Sequence, residues 1–342
     1  MVASDDNIMM HGGDLSAAMA KYGGTREEWL DMSSGINQIT YPFDGPQAIA
    51  DIGALPNQSD LVECLAAARA AYKVPDEISV VASPGTQSLI QAMPVLLGTN
   101  QSCLILGPTY SEHQRAMARA GVDVAMVEEM PKEFFPGDCL LVVNPNNPDG
   151  RKLPPDALVE IAEKLRKQRG LLIVDEAFAD LTPENSVVDR LSDMPNVVVL
   201  RSFGKFFGLG GLRLGFLVGH ETHISKIRDM LGPWAVSTPA LRIGRQALRD
   251  VKWQDEQRRN LIDFSEKLDA ILKKRGYYVA GGTPLFRLVL KENARDLHEK
   301  LAEQKIWTRV FDYNPDYIRF GVPTDQAMLD RLDAALDVAS IR

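Results

Sequence analysis

Lys205 lies three residues after Ser202 and eight before Arg213, inside the glycine-rich stretch Arg201-Ser202-Phe203-Gly204-Lys205-Phe206-Phe207-Gly208-Leu209-Gly210-Gly211-Leu212-Arg213. A lysine amine condenses with an aldehyde to a Schiff base. A hydroxyl and a guanidinium beside it hold a phosphate dianion. The stretch therefore suits a small molecule that carries both an aldehyde and a phosphate. A lysine next to a flexible loop is ordinarily a solvated surface residue. What sets Lys205 apart is the company it keeps elsewhere in the chain.

Other apolar runs end in polar residues of matching chemistry. Leu171–Val174 is followed by Asp175-Glu176-Ala177-Phe178. A carboxylate at the end of a buried strand needs a cation or hydrogen-bond donors. A protonated pyridine nitrogen meets that need, as would a helix cap or a neighbouring arginine. Leu140–Val143 leads into Asn144-Pro145-Asn146-Asn147-Pro148-Asp149-Gly150, an extended turn that displays amide side chains. There Asn147 could donate to a phenolic oxygen. Val80–Ala82 ends in Ser83-Pro84-Gly85-Thr86, where a glycine and a hydroxyl at a helix start form a phosphate seat. Leu104–Leu106 ends in Gly107-Pro108-Thr109-Tyr110, so Tyr110 offers a face for stacking on a pyridine ring, or else is a core tyrosine. Pyridoxal 5′-phosphate (PLP) carries every group these residues would hold.

These residues need a scaffold, and the apolar runs supply one. Ile78–Ala82, Ser102–Leu106, Val122–Val127, Cys139–Asn144, Leu171–Asp175, Val197–Leu200 and Leu214–Val218 alternate with amphipathic stretches at Thr86–Leu97, Ser111–Ala120 and Pro155–Gln168. Continuous apolar strands with helical spacers predict an α/β fold, a mostly parallel seven-stranded sheet with helices on both faces. Ligands of such sheets sit at the carboxyl ends of the strands, which is where Thr86, Tyr110, Asn147 and Asp175 fall. Thr238–Arg275 reads as one long charged helical stretch. Phe286–Leu290, Arg295–Gln304, Thr308–Phe311, Tyr317–Gly321 and Asp325–Ala339 read as a smaller α+β body. The predicted organisation is an N-terminal segment 1–40 docking on the small domain and active site, a large PLP-binding domain 41–232 and a C-terminal small domain 233–342.

The whole-chain features are those of a soluble enzyme: 342 residues, 45% hydrophobic, 25% charged, net charge −8. An acidic chain without a clustered basic stretch argues against nucleic acid and anionic membranes. No run approaches the length of a membrane span, and the N-terminus does not read as a signal peptide, so the expected location is cytoplasmic. Cys64, Cys103 and Cys139 are odd in number and widely spaced, which suits reduced core thiols. His220 and His223 lack companions at ligand spacing, so no metal is expected.

The order of these pieces, Gly85-Thr86, Tyr110, Asn147, Asp175, Lys205 and Arg213, resembles the class I/II aminotransferase superfamily of PLP enzymes, the aspartate aminotransferase fold or fold type I, across essentially the whole chain. The resemblance implies Lys205 as the lysine that carries the cofactor and Asp175 as the pyridinium partner. It further implies Asn147 on the phenolic oxygen, Tyr110 stacked on the ring, and Gly85, Thr86, Ser202 and Arg213 around the phosphate. Lys205, Asp175 and Tyr110 are the expected catalytic residues. His11-Gly12-Gly13-Asp14-Leu15, then Trp29-Leu30-Asp31-Met32-Ser33-Ser34-Gly35-Ile36-Asn37, look like the opening of the cobalamin-pathway threonine-phosphate decarboxylases. Gln304–Phe311 and Tyr317–Gly321 fit the same branch. On that resemblance His11, Gly12, Asn37, Asn147, Arg309 and Arg319 bind substrate. Two arginines and an imidazole suit a phosphorylated amino acid with two anionic groups.

Four positions depart from the commonest aminotransferase pattern: Phe178 where a tyrosine is frequent, Gly204 where a Ser or Thr phosphate ligand is frequent, Leu55-Pro56 where a tyrosine often reaches a partner subunit, and Asp149 where threonine is usual. The first three leave fewer hydrogen bonds on the cofactor. The implied activity is decarboxylation of L-threonine O-3-phosphate to (R)-1-amino-2-propanol O-2-phosphate. The rival is an aminotransferase of the histidinol-phosphate type, which would break the Cα–H bond instead. The resemblance also implies a homodimer, with Asn57–Asp60 near the partner subunit.

Overall fold

A computed structural model describes residues 12–98 and 101–341. His11, assigned to the substrate by resemblance, lies outside them. The chain divides into two compact units: residues 39–257, and the residues up to Gln38 together with those from Arg258 onward.

The first unit is built on a seven-stranded sheet in the order Ser79–Ser83, Gly215–Gly219, Val197–Ser202, Leu171–Asp175, Cys139–Val143, Ser102–Leu106, Asp123–Val127. Gly215–Gly219 runs antiparallel to both its neighbours, and the other contacts are parallel. This is the predicted fold class, with a strand over each of the seven apolar runs. Central strands such as Cys139–Val143 and Leu171–Asp175 are buried along their whole length, which is why their sequences are continuously apolar instead of alternating. Ile105, Leu141, Ile173 and Val198 share one core with Leu89, Ile90, Met117 and Ile224 from the covering helices. Each such fully buried side chain contributes on the order of 1.5–3 kcal/mol.

Two helices depart from expectation for identifiable reasons. The helix opening at Thr86 stays α-helical only to Ala92 and tightens to a 3₁₀ turn over Met93–Leu96, because Pro94 has no N–H to give. The single stretch expected over Thr238–Arg275 is two helices, Thr238–Arg249 and Val251–Lys274. Between them Asp250 leaves helical geometry (φ −86°, ψ 74°), and its Oδ1 accepts from the Trp253 amide at 3.0 Å. Helix Thr238–Arg249 belongs with the larger unit, so the division falls at 257/258, further along the chain than the composition change at Pro233.

In the second unit a four-stranded antiparallel sheet runs in the order Arg309–Phe311, Asn314–Gly321, Phe286–Leu290, Tyr278–Thr283. The last of these went unread in the sequence because Gly281-Gly282 obscures its alternation. Its Gly282 sits at φ +150°, where a Cβ would lie 2.2 Å from the Phe286 carbonyl. Helices Ala294–Glu303 and Gln326–Ile341 cover the sheet, and Leu297, Leu301, Ile318, Phe320, Leu329 and Leu332 share the core. Helix Ser16–Tyr22 docks here through Leu15 and Ala18 against Trp29, Ala302 and Trp307. Lys305 Nζ donates to the Gly23 carbonyl at 2.9 Å, and Leu30–Asp31 pairs in parallel with Ile306–Trp307. Among the described residues no helix is long and apolar enough to cross a membrane.

Candidate active site

Strand ends of the large sheet gather the first group of side chains. Asp175 closes Leu171–Asp175 and is 3% exposed. Its Oδ1 accepts from the Ala177 amide at 2.9 Å and its Oδ2 lies 2.8 Å from His113 Nε2. His113, 1% exposed, stands on helix Ser111–Arg119. Its Nδ1 has no hydrogen-bond partner among the described residues, so the geometry assigns the ring proton to Nε2, facing the carboxylate. A buried carboxylate held by two such donors is a fitting partner for a cationic ring nitrogen. Tyr110 caps the same helix, meets the His113 ring edge-on at 6.1 Å, and its hydroxyl is 3.3 Å from Gln87 Oε1. The sequence reading missed His113. The signal was available: a histidine three residues after Tyr110, on the helix that follows that strand end.

Lys205 sits in the short helix Phe203–Phe206 that continues strand Val197–Ser202, the neighbour of the Asp175 strand. The turn is clamped by aromatics. Phe203 stacks on Phe207 at 4.4 Å, Phe207 on Trp253 at 5.7 Å, and Tyr41 meets Trp253 edge-on at 5.0 Å. Beneath it, Arg201 is 2% exposed and paired with Glu176 (2.8 Å) and Asp180. Glu176 also accepts from Ser186 Oγ at 2.5 Å and the Val187 amide at 2.8 Å. Burial raises the Glu176 carboxyl while Arg201 opposes that shift. This network ties the residue after Asp175 to the residue before Ser202. It is costly to break, since removing one partner of a buried pair typically costs about 3–5 kcal/mol.

The departures from the common pattern find physical reasons. A Cβ on Gly204 would lie 2.9 Å from the Gly210 Cα, so the turn excludes Ser or Thr there. Phe178 is buried and its ring centroid is 6.0 Å from Lys205 Nζ, presenting a ring face instead of a hydroxyl. Asp149 Oδ1 accepts from Asn146 Nδ2 at 2.8 Å and the Arg151 amide at 3.0 Å. It thus braces the turn that displays Asn147, while Asn146 is also held by Thr109 Oγ1 and the Pro108 carbonyl.

What the backbone leaves out marks a candidate seat for a phosphate. Gly85 has φ +77°, and a Cβ there would lie 2.5 Å from Arg213 Nη2. Arg213 itself is left-handed (φ 57°, ψ 62°), with Nη1 donating to the Gly210 carbonyl at 2.9 Å. A Cβ on Gly215 would meet the Thr86 amide nitrogen at 2.7 Å. The chain thus brings Gly85, Thr86 and Arg213 together around a space closed to side chains. Donors here and a buried carboxylate at Asp175 fit the two poles of a phosphorylated pyridine aldehyde.

The second unit supplies two arginines that face each other. Arg309 and Arg319 are directly opposed across antiparallel strands. Arg319 is 6% exposed, and burial, followed by the charge of Arg309, holds it down at about 10. Like charges opposed in a sheet destabilise it, so the pair is suited to an anion that relieves the repulsion. Arg319 Nη2 donates to the Ser33 carbonyl at 2.7 Å and its guanidinium lies 5.0 Å from the Phe286 ring. Asn37 is buried and Gly12 exposed in the same unit. His220 and His223 each face a backbone carbonyl at 3.1 Å. Among the described residues no cluster of His, Cys, Asp or Glu could hold a metal ion.

Fold and strand-end residues define a class, and the chain belongs to the class I and II aminotransferase family, whose model matches residues 55–336. A threonine-phosphate decarboxylase from Sinorhizobium sp is 41% identical over 329 residues, 96% of this chain and 97% of that protein. Another, from Pseudomonas aeruginosa, is 39% identical over 333 residues, with the same shares. Among solved structures, a histidinol-phosphate aminotransferase from Clostridium acetobutylicum aligns with TM-score 0.80 at 21% identity, over 91% of this chain and 99% of that one. This last likeness shows the fold alone.

Proposed function

We propose that the protein decarboxylates L-threonine O-3-phosphate to (R)-1-amino-2-propanol O-2-phosphate, the linker precursor for the nucleotide loop of cobalamin. The cofactor is PLP. The observation that carries the reading is the opposed pair Arg309 and Arg319, a site for a substrate with two anionic groups. The near-full-length likeness to two threonine-phosphate decarboxylases supports the choice of reaction.

Bound PLP supplies an electron sink for the pair left on Cα when CO₂ departs. The protein's residues do the rest. Gly85, Thr86, Ser202 and Arg213 hold the cofactor phosphate, and Asn147 donates to its phenolic oxygen. Tyr110 covers the ring, and Asp175, oriented by His113, keeps the ring nitrogen protonated. Arg309 and Arg319, with His11, Gly12, Asn37 and Asn147, bind the substrate phosphate and orient its carboxylate. Bond choice would follow from how Arg309 and Arg319 orient the substrate carboxylate. The Lys205 amine then returns a proton to Cα. Phe178 leaves the lysine one hydroxyl fewer to share protons with, which suits a reaction that needs no Cα deprotonation. We further propose that the chain works in the cytoplasm as a homodimer.

The test is purified, PLP-loaded protein with L-threonine O-3-phosphate, following CO₂ and the amine product by mass spectrometry, with and without 2-oxoglutarate. Keto-acid-independent CO₂ release is expected, and Lys205→Ala abolishes it while retaining cofactor. Glutamate formation without CO₂ would instead mean the histidinol-phosphate type of transamination.

A further inference from the structure

Ser33 is fully buried, and every polar atom it has is committed within the second unit. Its hydroxyl donates to Asp31 Oδ1 at 2.6 Å, and the same oxygen accepts from the Gly13 amide at 2.7 Å. Its own amide also donates to Asp31 Oδ1, at 2.9 Å. Its carbonyl takes Arg319 Nη2 at 2.7 Å. Gly12 passes so close to that carbonyl that a Cβ would sit 2.3 Å from the oxygen. Next to it the Met32 carbonyl accepts from the Gly321 amide at 2.6 Å, two residues beyond Arg319 on the same strand.

One short segment therefore touches two things that chain order keeps far apart: the Gly12–Gly13 backbone and the Arg319 guanidinium. Arg319 gains from being held. A buried guanidinium opposed to Arg309 is pushed away from it, and a long side chain has many rotamers to lose on binding. The Ser33 carbonyl fixes one guanidinium nitrogen, and the Ser33 hydroxyl fixes the glycine segment at a set distance from the same residue. Asp31 orients the hydroxyl, because the O–H can point at only one acceptor while its lone pair receives Gly13.

We propose that Ser33 is a positioning residue for substrate-anion binding, its hydroxyl locking the Gly12–Gly13 segment to the frame that also holds Arg319. The inference rests on the reading of Arg319 and Gly12 as substrate ligands. Ser33 touches no reacting atom. Its loss acts on binding and leaves the chemistry at Lys205 as it was.

The experiment compares Ser33→Ala with wild type by steady-state kinetics on L-threonine O-3-phosphate, with calorimetric titration of that compound and of inorganic phosphate. Loss of one buried hydrogen bond to a positioned group predicts a KM about tenfold higher and kcat within about threefold. Affinity for both anions falls in parallel, while cofactor absorbance and melting temperature stay near wild type. Asp31→Ala, which removes the acceptor that orients the Ser33 hydroxyl, gives the same split and serves if Ser33→Ala does not fold. An unchanged KM, or a fall in kcat or cofactor content with KM unchanged, overturns the proposal. Wild type that binds both anions but releases no CO₂ strikes only the decarboxylase reading, and the affinities then decide on Ser33. Wild type that binds neither anion overturns the proposal.

Discussion

At the scale of single residues, the phosphate cradle depends on an atom that is missing. Gly85 combines φ +77° with a guanidinium 2.5 Å from where its Cβ would be, so two separate costs meet at one position. With ψ 161° this is backbone that glycine alone adopts readily, so an alanine is strained by roughly 1–3 kcal/mol, and the methyl would displace Arg213 from the space beside Thr86. Gly85→Ala is expected to fold, because the methyl meets the far end of the Arg213 side chain and no backbone, but to lose PLP at least about tenfold faster. Dialysis against buffer lacking PLP, followed by the cofactor absorbance, measures this. Retention equal to wild type would remove Arg213 from the phosphate site. The glycine was legible in the sequence as a helix start, Asp175 as a residue at a strand end, and Lys205 and Arg213 by their spacing in a glycine-rich turn. His113 itself stood in view three residues after Tyr110, but its pairing with Asp175 did not, since it joins a helix to a strand 62 residues further on. The bracing role of Asp149 was equally hidden, because a carboxylate that caps its own turn looks like any loop aspartate.

At the scale of elements, legibility followed burial. Central strands with both faces covered were read from continuous apolar runs, and helix Pro155–Lys167 from its Pro154-Pro155-Asp156 start. Strand Tyr278–Thr283 is an edge strand with two glycines and little burial, so it left no period to find. Helix Ala294–Glu303 carries an element-level prediction. His298 is buried on it, with Nδ1 2.8 Å from Thr308 Oγ1 and its ring 4.3 Å from the Trp307 indole. Burial pushes this imidazole down to about 4, with Arg295, Lys21 and Arg309 pushing the same way and Glu299 opposing. The unfolded chain takes up this proton near pH 6.5, and the folded chain refuses it until about 4. Between those values the unfolded state binds more protons, so stability rises with pH across that window and is flat above it. From pH 7 to 5 the site should cost about 2 kcal/mol. Urea unfolding at both pH values should show His298→Gln losing less stability on acidification than wild type by that amount. Equal slopes would mean that His298 titrates normally.

At the scale of the whole molecule, the larger unit exposes large apolar side chains that the proposed homodimer would cover. Phe43, Ile49, Ile52, Leu55, Val62, Met230 and Trp234 are all exposed, Ile52 at 68% and Leu55 at 67%. Beside Leu55 a cavity of about 610 Å³ is lined by Pro56, Leu61, Leu65, Leu231, Trp234 and Leu241. Singly exposed leucines are ordinary, but several large ones along one short segment beside an apolar cavity mark a surface meant to be covered. Trp234 adds a backbone sign, holding φ +57° while 59% exposed, a conformation that a bulky residue adopts only under constraint. The departure at Leu55-Pro56 fits the same surface: where relatives of the fold often place a tyrosine for a partner's phosphate, this chain places apolar groups suited to burial. Sedimentation velocity at micromolar concentration is expected to give twice the 37.8 kDa chain mass. A double change, Ile52→Asp with Leu55→Asp, puts charge on the patch without touching any residue of the cofactor cradle, and should shift the protein to monomer. Because buried interface charge is costly even when the fold is intact, the shift should appear with an unchanged far-ultraviolet circular dichroism spectrum. A wild-type monomer, or a double variant that remains dimeric, would show that this patch serves something other than a second copy of the chain.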